Sequence, residues 1–269
     1  MVDEVMTIWE AILLGAVQGA TEFLPVSSSG HLALLKSFLD LQTVPLLFDV
    51  LLHVATLVVV LAVFRRRVVA ILRSLARWVV RRADDDDSEN LRVSWVILVA
   101  TVITGGLGFA IDRLDLTLST KVISALLIVT GLILIGSRFL KGTRDYSTIG
   151  LKEGVIVGLG QAAGVFPGIS RSGITISSGM AAGLSREKAG EFAFLVFIPA
   201  ILGALVLTLG DAGELSSTVT AGALVTAFAT ALVVGLGALL VLVRMIRSGN
   251  LFLFSLYLIP LGIAGVVWL

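Results

Sequence analysis

The chain contains no cysteine in its 269 residues, which excludes disulfides, thiolate metal sites and a cysteine nucleophile. It has only two histidines, too few for the usual three- or four-ligand zinc site. Charge is also scarce: 14% of residues are Asp, Glu, Lys or Arg, against about 25% in an ordinary soluble domain. The N-terminus, Met1-Val2-Asp3-Glu4, is acidic where a cleavable signal is basic, so no such signal is expected. The net charge of +1 gives no basis for a nucleic-acid partner. What the chain has in abundance is apolar surface, with 57% hydrophobic residues and a mean hydropathy of +1.04. Most of its exterior must therefore face lipid. The apolar runs are long and do not alternate with polar residues as barrel strands do, which predicts an all-α polytopic membrane protein.

Six runs are long enough to cross a bilayer: Leu46 to Phe64, Val93 to Ile111, Val122 to Phe139, Phe192 to Leu209, Val219 to Val243 and Leu251 to Leu269. Two further apolar helices, Val5 to Leu24 and Ser29 to Leu39, are separated by Pro25, and the second is too short to span. Arg73, Arg77 and Arg81, spaced among apolar residues after Arg65-Arg66-Arg67, predict an interfacial amphipathic helix. Asp84 to Asp87, with Ser88, Glu89 and Asn90, read as an acidic solvent loop. Basic residues cluster at 65–82, at Arg138, Lys141 and Arg144, at Arg186 and Lys188, and at Arg244 and Arg247. Acidic or mixed loops fall at Asp112 to Asp115 and Asp211 to Glu214. With the basic loops in the cytoplasm the six spans alternate, and both termini lie outside. The region up to about Pro45 then starts and ends outside, and Ile149 to Arg186 starts and ends inside. Each must enter the membrane and return.

The two returning regions share a pattern. Gly15-Ala-Val-Gln18-Gly-Ala-Thr-Glu22-Phe-Leu-Pro25-Val-Ser-Ser-Ser29-Gly30 aligns with Gly158-Leu-Gly-Gln161-Ala-Ala-Gly-Val165-Phe-Pro167-Gly-Ile-Ser170-Arg171-Ser172-Gly173, with only the proline displaced. Related segments entering from opposite faces predict an inverted-topology repeat, with two re-entrant helical hairpins meeting near the midplane. The expected organisation is a single membrane domain over 1–269. Residues 1–140 form the first repeat, carrying a basic and acidic cytoplasmic loop at 65–92, and residues 141–269 form the second.

The polar residues of this oily chain concentrate in those bends. Helix starts at Ser27 to Gly30 and at Ser170 to Gly173 direct backbone amides inward, an arrangement that favours phosphate. Arg171 is costly inside a membrane and so a functional candidate, with a structural ion pair to Glu22 as the plainer alternative. Its planar donor fork, flanked by Ser170 and Ser172, suits a phosphate. Glu22, one helical turn after Gln18, can hold a divalent cation or take a proton from a nucleophile. Ser28 and His31 are three apart, a spacing that can join hydroxyl and imidazole. Ser29, Gln161, Gly173, Thr175 and, more weakly, Ser178 complete the candidates. His53, alone on an apolar span, reads as a structural histidine bonded to a neighbouring helix, with Asp49 as a capping or supporting group. Glu153, Glu187 and Glu191 read as solvated or paired.

The segments Gln18-Gly-Ala-Thr-Glu-Phe-Leu-Pro-Val-Ser-Ser-Ser-Gly-His31 and Pro167-Gly-Ile-Ser-Arg-Ser-Gly-Ile-Thr175 closely resemble the two signature motifs of the undecaprenyl-diphosphate phosphatase, or bacitracin-resistance, family. The resemblance covers essentially the whole chain. It implies hydrolysis of a polyprenyl diphosphate to the monophosphate and inorganic phosphate, recycling a lipid carrier for cell-wall and surface-glycan synthesis. It further implies Ser28 as nucleophile or phosphate ligand, His31 as acid/base, Glu22 as metal ligand or base, and Arg171 as phosphate clamp. Ser27, Ser29, Ser170, Ser172 and Thr175 would be added donors. Mg²⁺ or Ca²⁺ is the implied cofactor. The first motif carries Glu or Gln at its first polar place, and the neutral Gln18 here leaves Glu22 as the lone carboxylate. The implied setting is the cytoplasmic membrane, with the site open to the outer face, the prenyl tail between helices, and room for a homodimer. A prenyl-phosphate carrier using the same phosphate site is the competing reading. The other membrane phosphatase class that uses Ser-Gly-His and Ser-Arg motifs needs a later histidine, and no histidine follows His53.

Overall fold

A computed structural model describes residues 6–114 and 118–268. Val5, the acidic Asp3 and Glu4, Asp115 and the final Leu269 lie outside the described residues, as does the side chain of Asp112. Among the described residues the structure is helical, with no strand beyond an isolated bridge between Arg144 and Leu184. The helices are α1 (Ile8–Phe23), α2 (Ser28–Phe38), α3 (Leu46–Val63), α4 (Arg65–Val79), α5 (Ser88–Asp112), α6 (Thr120–Ser137), α7 (Leu151–Ala163), α8 (Arg171–Ala181), α9 (Arg186–Thr208), α10 (Ala212–Thr218), α11 (Ala221–Ser248) and α12 (Ser255–Trp268). Six helical segments, those containing α3, α5, α6, α9, α11 and α12, are long and apolar enough to cross a membrane. These are the six predicted spans, shifted by a few residues where capping decides the boundary. Thus α9 starts at Arg186, because the Ser185 hydroxyl accepts from the Lys188 amide. α11 runs on to Ser248, where Gly249 adopts the left-handed conformation (φ 71°) that closes a helix.

The segment at 65–92 corrects the sequence reading. The amphipathic helix is present as α4, but the acidic run beyond it is no free solvent loop. Asp85–Asp87 forms a 3₁₀ turn, and α5 begins within the run at Ser88. Asp87 is buried, accepting from the Ser74 hydroxyl at 2.6 Å and lying 3.4 Å from Arg77 Nε, while Asp84 meets Arg77 Nη1 at 3.1 Å. Acidic residues that find both a hydroxyl and a guanidinium on the adjacent helix gain more by docking than by staying in water.

Helix packing brings the two bends together. α1 lies against α11 so closely that a side chain at Gly15 would strike the Ala227 carbonyl, and one at Gly19 would come within 2.6 Å of the Ala231 carbonyl. α7 also lies close against α5, Gly158 facing the backbone of Ala100. α3 and α9 pack on each other at the centre, and Phe194 of α9 bridges Phe23 and Phe64 with ring centroids 5.9 and 5.5 Å away. α1 stops at Phe23 because Leu24 precedes Pro25, which disfavours helical backbone in the residue before it. α2 then restarts from Ser27, and α8 restarts from Ser170 after a bend containing Gly168 at φ +98°.

Candidate active site

The bends touch through one hydroxyl. Ser27 Oγ accepts from the Gly30 amide of its own helix start at 3.3 Å and from the Gly168 amide of the other bend at 3.0 Å. Thr130 on α6 fastens the second bend further: its hydroxyl donates to the Gly168 carbonyl at 2.8 Å and accepts from the Ser170 amide at 3.1 Å. Gly30 sits against Gly168 and Gly173 against Pro25, so closely that a larger residue would need its neighbour to shift. Residues about 140 positions apart are therefore one polar centre.

Glu22, at the end of α1 and 7% exposed, is the hub. Its Oε2 accepts from Gln18 Nε2 at 2.9 Å and from Ser28 Oγ at 2.6 Å, and lies 3.2 Å from His53 Nε2. Its Oε1 faces Arg171 Nη1 at 4.0 Å, close enough for attraction and too far for a hydrogen bond. That guanidinium nitrogen is buried with no hydrogen-bond partner among the described residues, and so is the hydroxyl of Thr175. The Arg171 guanidinium lies over the Phe197 ring, 5.7 Å from its centroid. Glu22, Gln161, Arg171, Ser172 and Thr175 line one open cleft of about 300 Å³, whose apolar wall is Phe23, Phe194 and Phe197. Two buried donors without partners beside an apolar wall suit a ligand with an anionic head and a hydrocarbon body.

The remaining candidates divide. Ser170 Oγ caps α8 by accepting from the Gly173 amide at 3.1 Å and lies 3.2 Å from Ser172 Oγ. Gln161 donates to Thr104 Oγ1 at 3.3 Å and leaves its Oε1 without a partner, as does Gln18. Ser29 stands half-buried in the first turn of α2, and the Ser178 hydroxyl lies against Gly160 of α7. Ser28 and His31 are not joined, since the Ser28 hydroxyl is given to Glu22. His31 Nδ1 donates to the Ser27 carbonyl at 2.8 Å, so Nε2 accepts from the Tyr257 hydroxyl of α12 at 2.8 Å. Asp49, read as a capping or supporting group, pairs with Lys36 at 2.7 Å, while Glu153 pairs with Arg144 and Glu191 with Arg67 at 3.2 Å, as the sequence suggests for these two.

Two residues of this centre escape a reading of the sequence. Tyr257 is 226 positions from His31 and carries no local signal. His53 does bond a neighbouring helix, but the group it meets is the hub carboxylate. The signal that singled out Arg171, an ionisable group inside a membrane segment, applied equally to His53.

The six apolar helices fit a multi-pass helical membrane protein, and the buried polar centre where the two bends meet is its candidate site. The chain belongs to the family of bacitracin resistance protein BacA, matching it over residues 11–264. Among curated proteins it is 45% identical over 258 residues to undecaprenyl-diphosphatase of Treponema denticola, with 96% of each chain covered. It is 39% identical over 269 residues to undecaprenyl-diphosphatase of Desulfosudis oleivorans, covering 94% of this chain and 95% of that one. It is 34% identical over 273 residues to undecaprenyl-diphosphatase of Methanosphaera stadtmanae, covering 97% of this chain and 98% of that one.

Proposed function

We propose that the chain hydrolyses undecaprenyl diphosphate to the monophosphate and inorganic phosphate, as its relatives' names state of them. The observation that carries the chemistry is the Ser28 hydroxyl donating to Glu22 Oε2 at 2.6 Å beside the unpartnered Arg171 nitrogen. Ser28 oxygen attacks the terminal phosphorus while its proton passes to Glu22, and the bond to the bridging oxygen breaks. The prenyl monophosphate leaves, and water then releases phosphate from Ser28. Arg171 fits the clamp role, with Thr175, Ser172 and the helix starts at Ser27 and Ser170 as further donors to the phosphoryl oxygens. His31, tied to Ser27 and Tyr257, would serve the leaving group or the water once the Tyr257 hydroxyl gives way to it.

The donor set fits a hard divalent cation. Glu22 Oε1 accepts no hydrogen bond, and the amide oxygens of Gln18 and Gln161 are buried without partners. Among the described residues no three His, Asp or Glu side chains gather to hold a metal unaided, so Glu22 and the amide oxygens would share a Mg²⁺ or Ca²⁺ with the diphosphate. Such an ion supplies neutralising charge to the diphosphate oxygens.

The same reading includes the repeat, 1–140 and 141–269 within one membrane domain, with both hairpins re-entrant. Pairing of the helices supports it. α1 packs on α11 as α7 packs on α5, α3 on α11 as α9 on α5, while α3 pairs with α9 and α6 with α12. That pattern is what exchange of the two halves about a two-fold axis produces. Loop charge supports a cytoplasmic placement for α4 and an outward-facing site with external termini.

Phosphate release from defined prenyl diphosphates, with and without EDTA, tests the reading on wild type and on Glu22→Gln, Ser28→Ala and Arg171→Ala. Release by wild type, with a loss of at least about 100-fold in the Glu22 and Arg171 variants, is expected. A folded, prenyl-phosphate-binding sample that releases no phosphate overturns it in favour of a carrier.

A further inference from the structure

We infer that His53 is a positioning residue for Glu22: it holds the carboxylate toward Ser28 and away from Arg171. The inference rests on the phosphatase reading above. His53 lies in the middle of α3 among aliphatic residues and is 8% exposed. Its Nδ1 lies 2.7 Å from the Asp49 carbonyl one turn earlier. The Asp49 carbonyl and the Glu22 carboxylate both only accept, so both ring nitrogens donate and His53 is the imidazolium, with the Nδ1 bond fixing the plane of the ring. The ring thereby turns Nε2 out of α3 toward α1, where it meets Glu22 Oε2 at 3.2 Å.

That single oxygen is approached from three helices: Gln18 from α1, Ser28 from α2 and His53 from α3. The other oxygen points at a guanidinium 4.0 Å away. A glutamate has freely rotating side-chain torsions, and opposite charges attract strongly where water is excluded. Left with Gln18 and Ser28 alone, the carboxylate can swing the short distance needed to close a full ion pair with Arg171. Such a pair would strip Ser28 of its proton acceptor and occupy the donor that the phosphate needs. His53 opposes this by anchoring Oε2 from the far side. The anchor is itself immobile, because its other nitrogen is tied to the backbone of its own helix, not to a mobile side chain. This also accounts for Arg171 Nη1 being buried beside a carboxylate and yet having no hydrogen-bond partner.

The test uses the full chain in detergent micelles with undecaprenyl diphosphate, comparing wild type, His53→Leu and His53→Gln for kcat, KM and thermal unfolding. Leucine keeps the bulk and removes both ring nitrogens, whereas glutamine offers an amide N–H at a similar reach. The expected result is a fall of at least about 50-fold in kcat for His53→Leu, larger than any rise in KM, with recovery to within about fivefold of wild type for His53→Gln. Both variants are expected to unfold within a few degrees of wild type, because leucine and glutamine are close to histidine in volume and leave the packing of α3 filled. A His53→Leu protein within about threefold of wild type overturns the inference, as does a folded His53→Gln protein no more active than His53→Leu. A wild type that releases no phosphate overturns both this inference and the phosphatase reading, whereas a fully active wild type with indifferent His53 variants overturns this inference alone.

Discussion

Replacing Ser27 by alanine is the sharpest test of the claim that the two bends form one centre. Ser27 is 2% exposed, and its hydroxyl is the partner of two buried amides, Gly30 on its own helix and Gly168 on the other bend. Alanine leaves both without an acceptor, at about 1–3 kcal/mol for each buried donor, so a loss of at least about 2 kcal/mol is expected. Ser27 also has φ 69°, a left-handed conformation that a side chain resists by about 1–2 kcal/mol. Glycine loses the same hydroxyl but sheds that resistance. Allowing for the greater freedom of glycine in the unfolded chain, Ser27→Gly should be more stable than Ser27→Ala by about 1 kcal/mol. Reversible denaturant unfolding in mixed micelles measures both differences, and phosphate release measures whether the bends remain in register. An alanine variant within about 0.5 kcal/mol of wild type, or a glycine variant less stable than the alanine one, refutes the argument.

Other consequences follow from single contacts. Arg171→Lys keeps the charge but loses the planar fork, so phosphate release should fall by at least about tenfold with the protein still folded; equal rates would show that charge alone suffices. Tyr257→Phe removes only the hydroxyl that donates to His31, and a net hydrogen bond predicts a fall of about 2- to 12-fold in rate, with no change excluding a role for that contact. Gly158→Leu sets a side chain against the Ala100 backbone, whereas nothing stands within 4 Å of a side chain at Gly105. The first should lower stability by more than about 2 kcal/mol and Gly105→Leu by less than about 0.5, read by thermal unfolding in detergent.

Much of this was legible without coordinates. Six spans followed from run length and apolarity, because a segment in lipid must satisfy its backbone internally and so be helical. The bend before Ser27 was legible from Pro25, and the anion-friendly helix starts from the Ser and Gly residues after each bend. Boundaries moved where a cap acted, as at Ser185, and the acidic run at 84–90 became structure because Ser74 and Arg77 stand opposite it. Within the centre, the spacing of Ser28 and His31 suggested a pair that the structure does not make.

The sequence by itself determined which polar groups fall among apolar segments and beside which helix starts, since composition and periodicity act locally along the chain. Only the tertiary structure decided which of those groups meet. Glu22 takes the Ser28 hydroxyl and turns His31 over to Tyr257; His53, read only as a structural histidine, meets the carboxylate; Gly168 finds Ser27 from the other half of the chain. Such choices depend on helix crossings set by close contacts such as Gly15 on Ala227. A crossing is fixed by the fit of two distant surfaces, which no single stretch of sequence contains.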